Sequence, residues 1–274
     1  MDLEQDKKNL DYNGYTLIKN VLPKDECKLY VDLIDKYCNK EYAEKMRNGI
    51  SKDWDGNWLF NLQNKDYKFY DLLRHEYIEE LLKYKLNDRL YRNQVDDDPN
   101  YILQMFTARG SGKTLLDMHS DMRTKTCNYN STLGVTVLWY LGDTNVHNGC
   151  TYLVPGSHLI NLTDGEPYIT DRSFKNTLPL EASAGDVLMF DQALWHGAHP
   201  NLGDDVSWRI QTAYNRWWIK PSFDIPNSVP NDFYKKLSNK EKSILGFCSQ
   251  PSRNEFERVS MSSKYSELKD ELDT

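Results

Sequence analysis

Apolar positions recur along this chain with two different periods, and the change falls near residue 100. Before it, the spacing is helical for the most part. Residues 15–22, YTLIKNVL, form an exception and read as a short strand, after which Pro23 sits where a first helical turn tolerates it. Cys27, Tyr30, Val31, Ile34, Tyr37 and Cys38 then fall on one stripe of a 3.6-residue repeat, with Lys24, Asp25, Asp32 and Lys36 turned outward, which predicts a packing helix. Residues 41–66 are polar, contain Gly49, Gly56, Asn48, Asn57 and Asn61, and keep no sustained period; they read as a long surface excursion of the kind that tends to be functional. Between Tyr67 and Leu90 leucines return at helical spacing (Leu72, Leu73, Leu81, Leu82), interrupted by His75 and Glu76, so one kinked or two short helices are expected.

After the acidic turn at 96–99 the texture becomes short runs rich in Val, Leu, Thr, Tyr and Trp, which favour strands. Strands are expected at 101–107, around 118–122, at 133–141, 151–154 and 187–190, around 195–197, and at 208–218. Beyond Pro221 the pattern is helical again over 232–245, and the Ser-, Lys-, Glu- and Asp-rich final stretch reads as a solvated tail. Helices followed by about seven strands imply a mainly β fold with flanking helices: an antiparallel sandwich or barrel with helices outside it. The expected organisation is one domain over 1–252, with a helical part (1–100), a β core (101–220) and a C-terminal helix (221–252), then a polar tail over 253–274.

Composition narrows the classes of function. With 39% hydrophobic and 27% charged residues in 274, and no uncharged apolar run of about 18, the chain reads as soluble, without a membrane span. The N-terminus shows neither a secretory signal nor an Arg-rich transit pattern, so a cytoplasmic location is expected. A net charge of -7 disfavours nucleic acid as a partner. Five scattered cysteines without a CxxC pair fit reduced thiols better than disulfides or a zinc knuckle.

Two short segments could carry chemistry. In Met118-His119-Ser120-Asp121-Met122 an imidazole and a carboxylate are two residues apart, so on a strand they share a face and can reach one metal ion; in a surface loop Asp121 would merely accept hydrogen bonds. A second imidazole follows the apolar strand Val187 to Phe190, in Trp195-His196-Gly197. Two imidazoles and one carboxylate suit iron(II) with open positions for dioxygen, and zinc could use the same ligands. In Trp208-Arg209-Ile210-Gln211-Thr212-Ala213-Tyr214, Arg209 shares a strand face with Gln211 and Ala213. If that face is the inner one, the guanidinium needs an anion, and its planar fork matches a carboxylate.

Taken together, Asn13-Gly14-Tyr15 with its following strand, Thr136 to Leu141, and Asn148-Gly149-Cys150 through Pro155-Gly156-Ser157-His158 resemble the phytanoyl-CoA dioxygenase family, whose "NGxxxxxPGSH" stretch the last segment matches. The resemblance implies a double-stranded β-helix in which His119, Asp121 and His196 bind Fe(II), with 2-oxoglutarate and O2 as co-substrates. It also implies that Arg209 holds the distal carboxylate of 2-oxoglutarate, and that Gln104, inward-facing on the strand before the metal motif, is a polar contact to the co-substrate. Arg209 lies thirteen residues after His196, further than is usual in the family because Leu202-Gly203-Asp204-Asp205 lengthens the turn, so Arg216 is the alternative anchor. His158 is expected to fix a turn, His199 to lie near the metal at most as a supporting group, and Trp195 to be the tryptophan nearest the site. A metal-free cupin-like binding module and a zinc hydrolase with the same ligands are the rival readings. Hydroxylation of an amino acid, acyl-CoA or natural-product scaffold is expected, with selectivity in the segments 41–66, 123–131 and 159–178.

Overall fold

The computed structural model describes residues 1–49, 57–88, 99–122, 132–159, 168–169 and 176–251. Eleven strands among them build two antiparallel sheets. They are β1 (Tyr15–Ile18), β2 (Trp58–Phe60), β3 (Tyr101–Gly110), β4 (Leu116–His119), β5 (Gly134–Tyr140), β6 (Thr151–Leu153), β7 (Tyr168–Ile169), β8 (Leu178–Leu180), β9 (Val187–Asp191), β10 (His196–Ala198) and β11 (Trp208–Arg216). The large sheet runs β1-β9-β5-β11-β3-β2 and the small one β7-β4-β10-β6-β8. Consecutive strands alternate between the sheets over most of this order, which is the winding of a jelly roll.

Alternation along the strands sorts side chains between two cores. Val135, Val137 and Trp139 of β5, Val187 and Met189 of β9, and Ile210 of β11 pack outward with the helical residues Leu10, Tyr30, Ile34 and Leu81. Leu138 and Tyr140 of β5 and Leu188 and Phe190 of β9 point the other way and meet Leu153 and Leu180 of the small sheet. Because strand side chains alternate faces, the same five-residue run feeds both cores. That accounts for its unbroken apolar sequence, as expected of a strand buried on both sides.

The helices on the outer face are α1 (Leu3–Tyr12), α2 (Lys24–Tyr37), α3 (Lys40–Gly49), α4 (Tyr70–Leu73), α5 (Glu76–Leu86), α6 (Ile225–Ser228), α7 (Asn231–Tyr234) and α8 (Asn239–Ile244). Helix α2 buries Cys27, Tyr30 and Ile34 of the expected stripe. The expected helix over 232–245 is divided in two, because Ser238 forms a capping box with Glu241 and starts α8 afresh. The excursion over 41–66 holds most of α3 and, after it, β2, which extends the large sheet by pairing with β3. Strand β11 ends at Arg216, two residues before the predicted end. The predicted tail over 253–274, and most of the predicted selectivity segments 123–131 and 159–178, lie outside the described residues. Among the described residues no helix is long and apolar enough to cross a membrane.

Candidate metal centre

The small sheet brings the two imidazoles together. Strand β10 pairs with β4 so that His196 lies opposite His119, and their rings stand 4.4 Å apart between centroids. Asp121 follows just past the end of β4 and turns its Oδ1 towards both rings, 3.6 Å from His119 Nε2 and 3.8 Å from His196 Nε2. The three donor atoms lie within 4.8 Å of one another. Ligands about 2.1 Å from a shared ion sit roughly 3 Å apart in neighbouring positions, so a small contraction would close this set on one metal.

The surroundings prepare each donor. The Nδ1–H of His119 donates to the Asp117 carbonyl at 2.8 Å and that of His196 to the Leu194 carbonyl at 2.9 Å, which leaves both Nε2 lone pairs facing Asp121. On the other side of the carboxylate, the buried Thr136 hydroxyl donates to Asp121 Oδ2 at 3.1 Å. Burial pushes the Asp121 carboxyl up, but His196, His119 and Thr136 outweigh it and hold it at about 2. Burial is also the main influence on His196; with the positive charge of Arg109 it brings the imidazole down to about 4, against the opposing pull of Asp121. The centre therefore holds one carboxylate and a neutral imidazole at His196 near neutral pH, a donor set suited to a divalent cation.

The pocket beside these donors encloses about 370 Å³, part of it open to solvent, and Arg109, Leu138, Thr151, Phe190, Arg209 and Gln211 are among its lining residues. Pairing of β11 with β5 sets Arg209 opposite Tyr140, Gln211 opposite Leu138 and Ala213 opposite Thr136, so these six residues share the inner face of the large sheet. Arg209 is 5% exposed and, among the described residues, makes no ion pair; its Nη1 donates to the Gly149 carbonyl at 3.1 Å. Burial lowers its pKa, with Tyr140 and Cys150 opposing. A guanidinium stays charged in proteins, so this is a buried cation with donors directed into a pocket.

Two sequence expectations are displaced. Gln104 does not line the pocket: pairing of β11 with β3 jumps from Met105 to Leu103, which leaves Gln104 in a bulge. Its Nε2 donates instead to Ser222 Oγ at 2.6 Å. The inward positions of β3 are thereby Met105, Thr107 and Arg109. Arg216 lies on the opposite face from Arg209, donating to the Thr132 carbonyl at 2.7 Å and pairing with Asp88 at 3.2 Å, so it does not reach the pocket.

The "NGxxxxxPGSH" residues brace the centre without lining it as ligands. Gly149, at φ +95, supplies the carbonyl that meets Arg209, and a side chain there would strike Ser111. Gly156 N–H donates to the Asn13 carbonyl, while the Ser157 hydroxyl accepts the N–H of Trp195 immediately before His196. His158 bonds the Asp11 carbonyl through Nε2, fixing this turn to the end of α1. Trp195 packs with Met118, Tyr152 and Val154 away from the pocket, and the His199 ring rests against Tyr152 at 5.0 Å. Sequence reasoning did not single out Arg109, which lines the pocket, or Thr136, which holds Asp121 from behind, because their inward orientation depends on which strands pair.

A sequence profile of the phytanoyl-CoA dioxygenase (PhyH) family matches residues 10–210. Among curated relatives, dioxygenase af480 of Aspergillus fumigatus is 30% identical over 112 residues, which are 40% of this chain and 35% of that protein. An uncharacterised protein of Mycobacterium bovis is 23% identical over 116 residues, 42% of this chain and 41% of that one. The matched stretches thus span less than half the length of these relatives. Similar solved structures include HygX from Streptomyces hygroscopicus with nickel and 2-oxoglutarate bound (16% identity, 80% of this chain and 87% of that one, TM-score 0.57). The 2-oxoglutarate-dependent carbocyclase SnoK from nogalamycin biosynthesis is similar at 16% identity, over 86% of this chain and 90% of that one, with TM-score 0.60. At these identities the structural likeness establishes the jelly-roll fold.

Proposed function

Because the chain belongs to the phytanoyl-CoA dioxygenase family, we propose that it is an Fe(II)- and 2-oxoglutarate-dependent oxygenase acting on a small-molecule metabolite. His119, Asp121 and His196 would hold the iron, and Arg209 the distal carboxylate of 2-oxoglutarate. The observation that carries this reading is Arg209, a buried cation that makes no ion pair among the described residues, in the same pocket as three converging metal donors. A buried guanidinium without a counter-ion is costly, and a dicarboxylate bound between it and the metal removes that cost. A zinc hydrolase reading gives Arg209 no task.

With iron bound, the group would supply the coupled oxidation in which dioxygen is consumed, 2-oxoglutarate loses carbon dioxide to give succinate and the substrate is oxidised. The chain's own residues do the rest. The carbonyls of Asp117 and Leu194 fix both imidazoles, Thr136 holds the far oxygen of Asp121, and Arg209, with Thr151 also lining the pocket, would take the distal end of the dicarboxylate. Phe190, whose ring lies 4.6 Å from that of His196, and Leu138 keep water from the wall behind it. Since a carboxylate would occupy the third protein position, no site is vacated for a halide, and the chain is expected to act as a hydroxylase or related oxygenase and not as a halogenase.

The reading is tested by elemental analysis of protein purified without chelator and by succinate release from 2-oxoglutarate. Iron at about one per chain and succinate release that stops in both His119→Ala and His196→Ala are expected. Tightly held zinc with no succinate formed under iron loading would overturn it.

A further inference from the structure

The carbonyl that accepts the His196 Nδ1–H and the amide N–H that donates to Ser157 belong to one peptide group, the link between Leu194 and Trp195. At one end of that group the Trp195 N–H meets Ser157 Oγ at 2.9 Å; at the other the Leu194 carbonyl meets the imidazole N–H at 2.9 Å. Ser157 Oγ is thereby connected through a single amide to Nδ1 of a metal donor, whose Nε2 lies on the far side of the ring. The whole line is buried: Ser157, Leu194, Trp195 and His196 are each 7% exposed or less.

Such a line acts on the imidazole in two ways. An acceptor on the N–H side polarises the amide and makes its carbonyl the stronger acceptor, an effect that a buried setting preserves. The carbonyl then holds the Nδ1 proton more firmly, which fixes the ring and raises the basicity of Nε2 towards a cation. The flanking bonds join backbone groups: Leu194 N–H donates to the Asp191 carbonyl at 2.8 Å, and the Trp195 carbonyl accepts Val154 N–H at 2.9 Å. Ser157 is the side chain that the peptide itself meets.

Ser157 is in turn held from outside the small sheet. Its own N–H donates to the Val154 carbonyl at 3.2 Å, and its neighbours tie the turn to the end of α1, Gly156 N–H to the Asn13 carbonyl at 2.8 Å and His158 Nε2 to the Asp11 carbonyl at 3.1 Å. The other imidazole is supported differently, because His119 finds its acceptor, the Asp117 carbonyl, within its own strand β4.

We propose that Ser157 is a positioning residue of the metal centre, setting the orientation and donor strength of His196 through the 194–195 peptide. The proposal rests on the assignment of the metal to His119, Asp121 and His196 given above.

The test uses the full chain with Co(II) for affinity, by competitive titration, and with Zn(II) as a diamagnetic probe for nuclear magnetic resonance. Ser157→Ala removes one buried oxygen and should weaken Co(II) by about tenfold, the lower end of what partners of metal ligands contribute. Ser157→Thr keeps the acceptor and should recover most of the loss. In the Zn(II)-loaded, isotope-labelled chain, Ser157→Ala should displace one of the two imidazole N–H signals together with the Trp195 amide and leave the other imidazole signal in place; a packing role would move neither ring. A further measurement needs no variant: since coupling is reciprocal, loading the wild-type chain with Zn(II) should slow hydrogen exchange at the Trp195 amide more than at the Val154 amide. Wild-type Co(II) affinity in Ser157→Ala, unmoved ring signals, or equal slowing at Trp195 and Val154 would overturn the inference. Co(II) binding by the wild type is recorded first: its absence sinks the metal assignment, whereas binding without a response to Ser157 sinks only the role of that residue.

Discussion

Thr136 divides the work of the two oxygens of Asp121. Its hydroxyl engages Oδ2 at 3.1 Å, while Oδ1 is the atom 3.6 and 3.8 Å from the two imidazole nitrogens. A carboxylate held this way offers one oxygen to a metal and leaves neighbouring positions for other ligands. Thr136→Val keeps the shape of this fully buried side chain and removes the donor, so divalent-metal affinity should fall by about tenfold to a hundredfold, as such supporting contacts generally dictate. Thr136→Ser should restore most of it. Competitive Co(II) titration measures both; wild-type affinity in Thr136→Val would show that the hydroxyl does no positioning. His119, Asp121 and His196 could be singled out in the sequence because their pattern is local: a histidine at the end of β4 with a carboxylate two residues on, and a second histidine after an apolar strand. Thr136, Arg109 and the displacement of Gln104 could not. Each depends on a register between strands distant in sequence, and a single bulge in β3 changes which of its residues face inward.

The turn between β8 and β9 shows how a connection sets the position of a strand. Asp186, 1% exposed, accepts Lys19 Nζ at 2.9 Å and the backbone N–H groups of Asn20 and Ser183 at 3.0 and 2.8 Å, tying β9 to the segment between β1 and α2. Gly185 before it adopts φ +93 with its Cα so close to the Leu22 carbonyl that any Cβ would collide. Burial raises the Asp186 carboxyl, but Lys19 and the two N–H donors outweigh it, and the folded value lies below the ordinary one. The stability this carboxylate contributes is therefore present above about pH 4, its unfolded range, and is lost as pH falls through the lower folded value. Asp186→Asn should cost about 1–3 kcal/mol at pH 7 and progressively less below pH 4, measured by urea unfolding at both pH values; a cost independent of pH would contradict the argument. Sequence patterning located β5 and β9 by their apolar runs and β11 by its alternation. It missed α1, where Leu10 is the apolar residue that becomes fully buried, and it missed β2 inside the polar stretch, because three residues are too few to show a period.

In the whole molecule the large sheet lies between two environments, with helices on its outer face and the small sheet across its inner one. The small sheet supplies the histidines and, just past β4, Asp121; the large sheet supplies Arg209, so the account stands on the two sheets acting on one ligand. That dependence is tested most directly by titrating 2-oxoglutarate into the full chain with and without Fe(II), in the absence of oxygen, for the wild type and for Arg209→Ala. Binding at one per chain that requires the metal is predicted. Arg209→Ala should weaken it by about thirtyfold to several thousandfold, the equivalent of roughly 2–5 kcal/mol for a carboxylate left unpaired, with iron affinity barely changed. Binding that is indifferent to the metal, or unaltered in Arg209→Ala, would contradict the account.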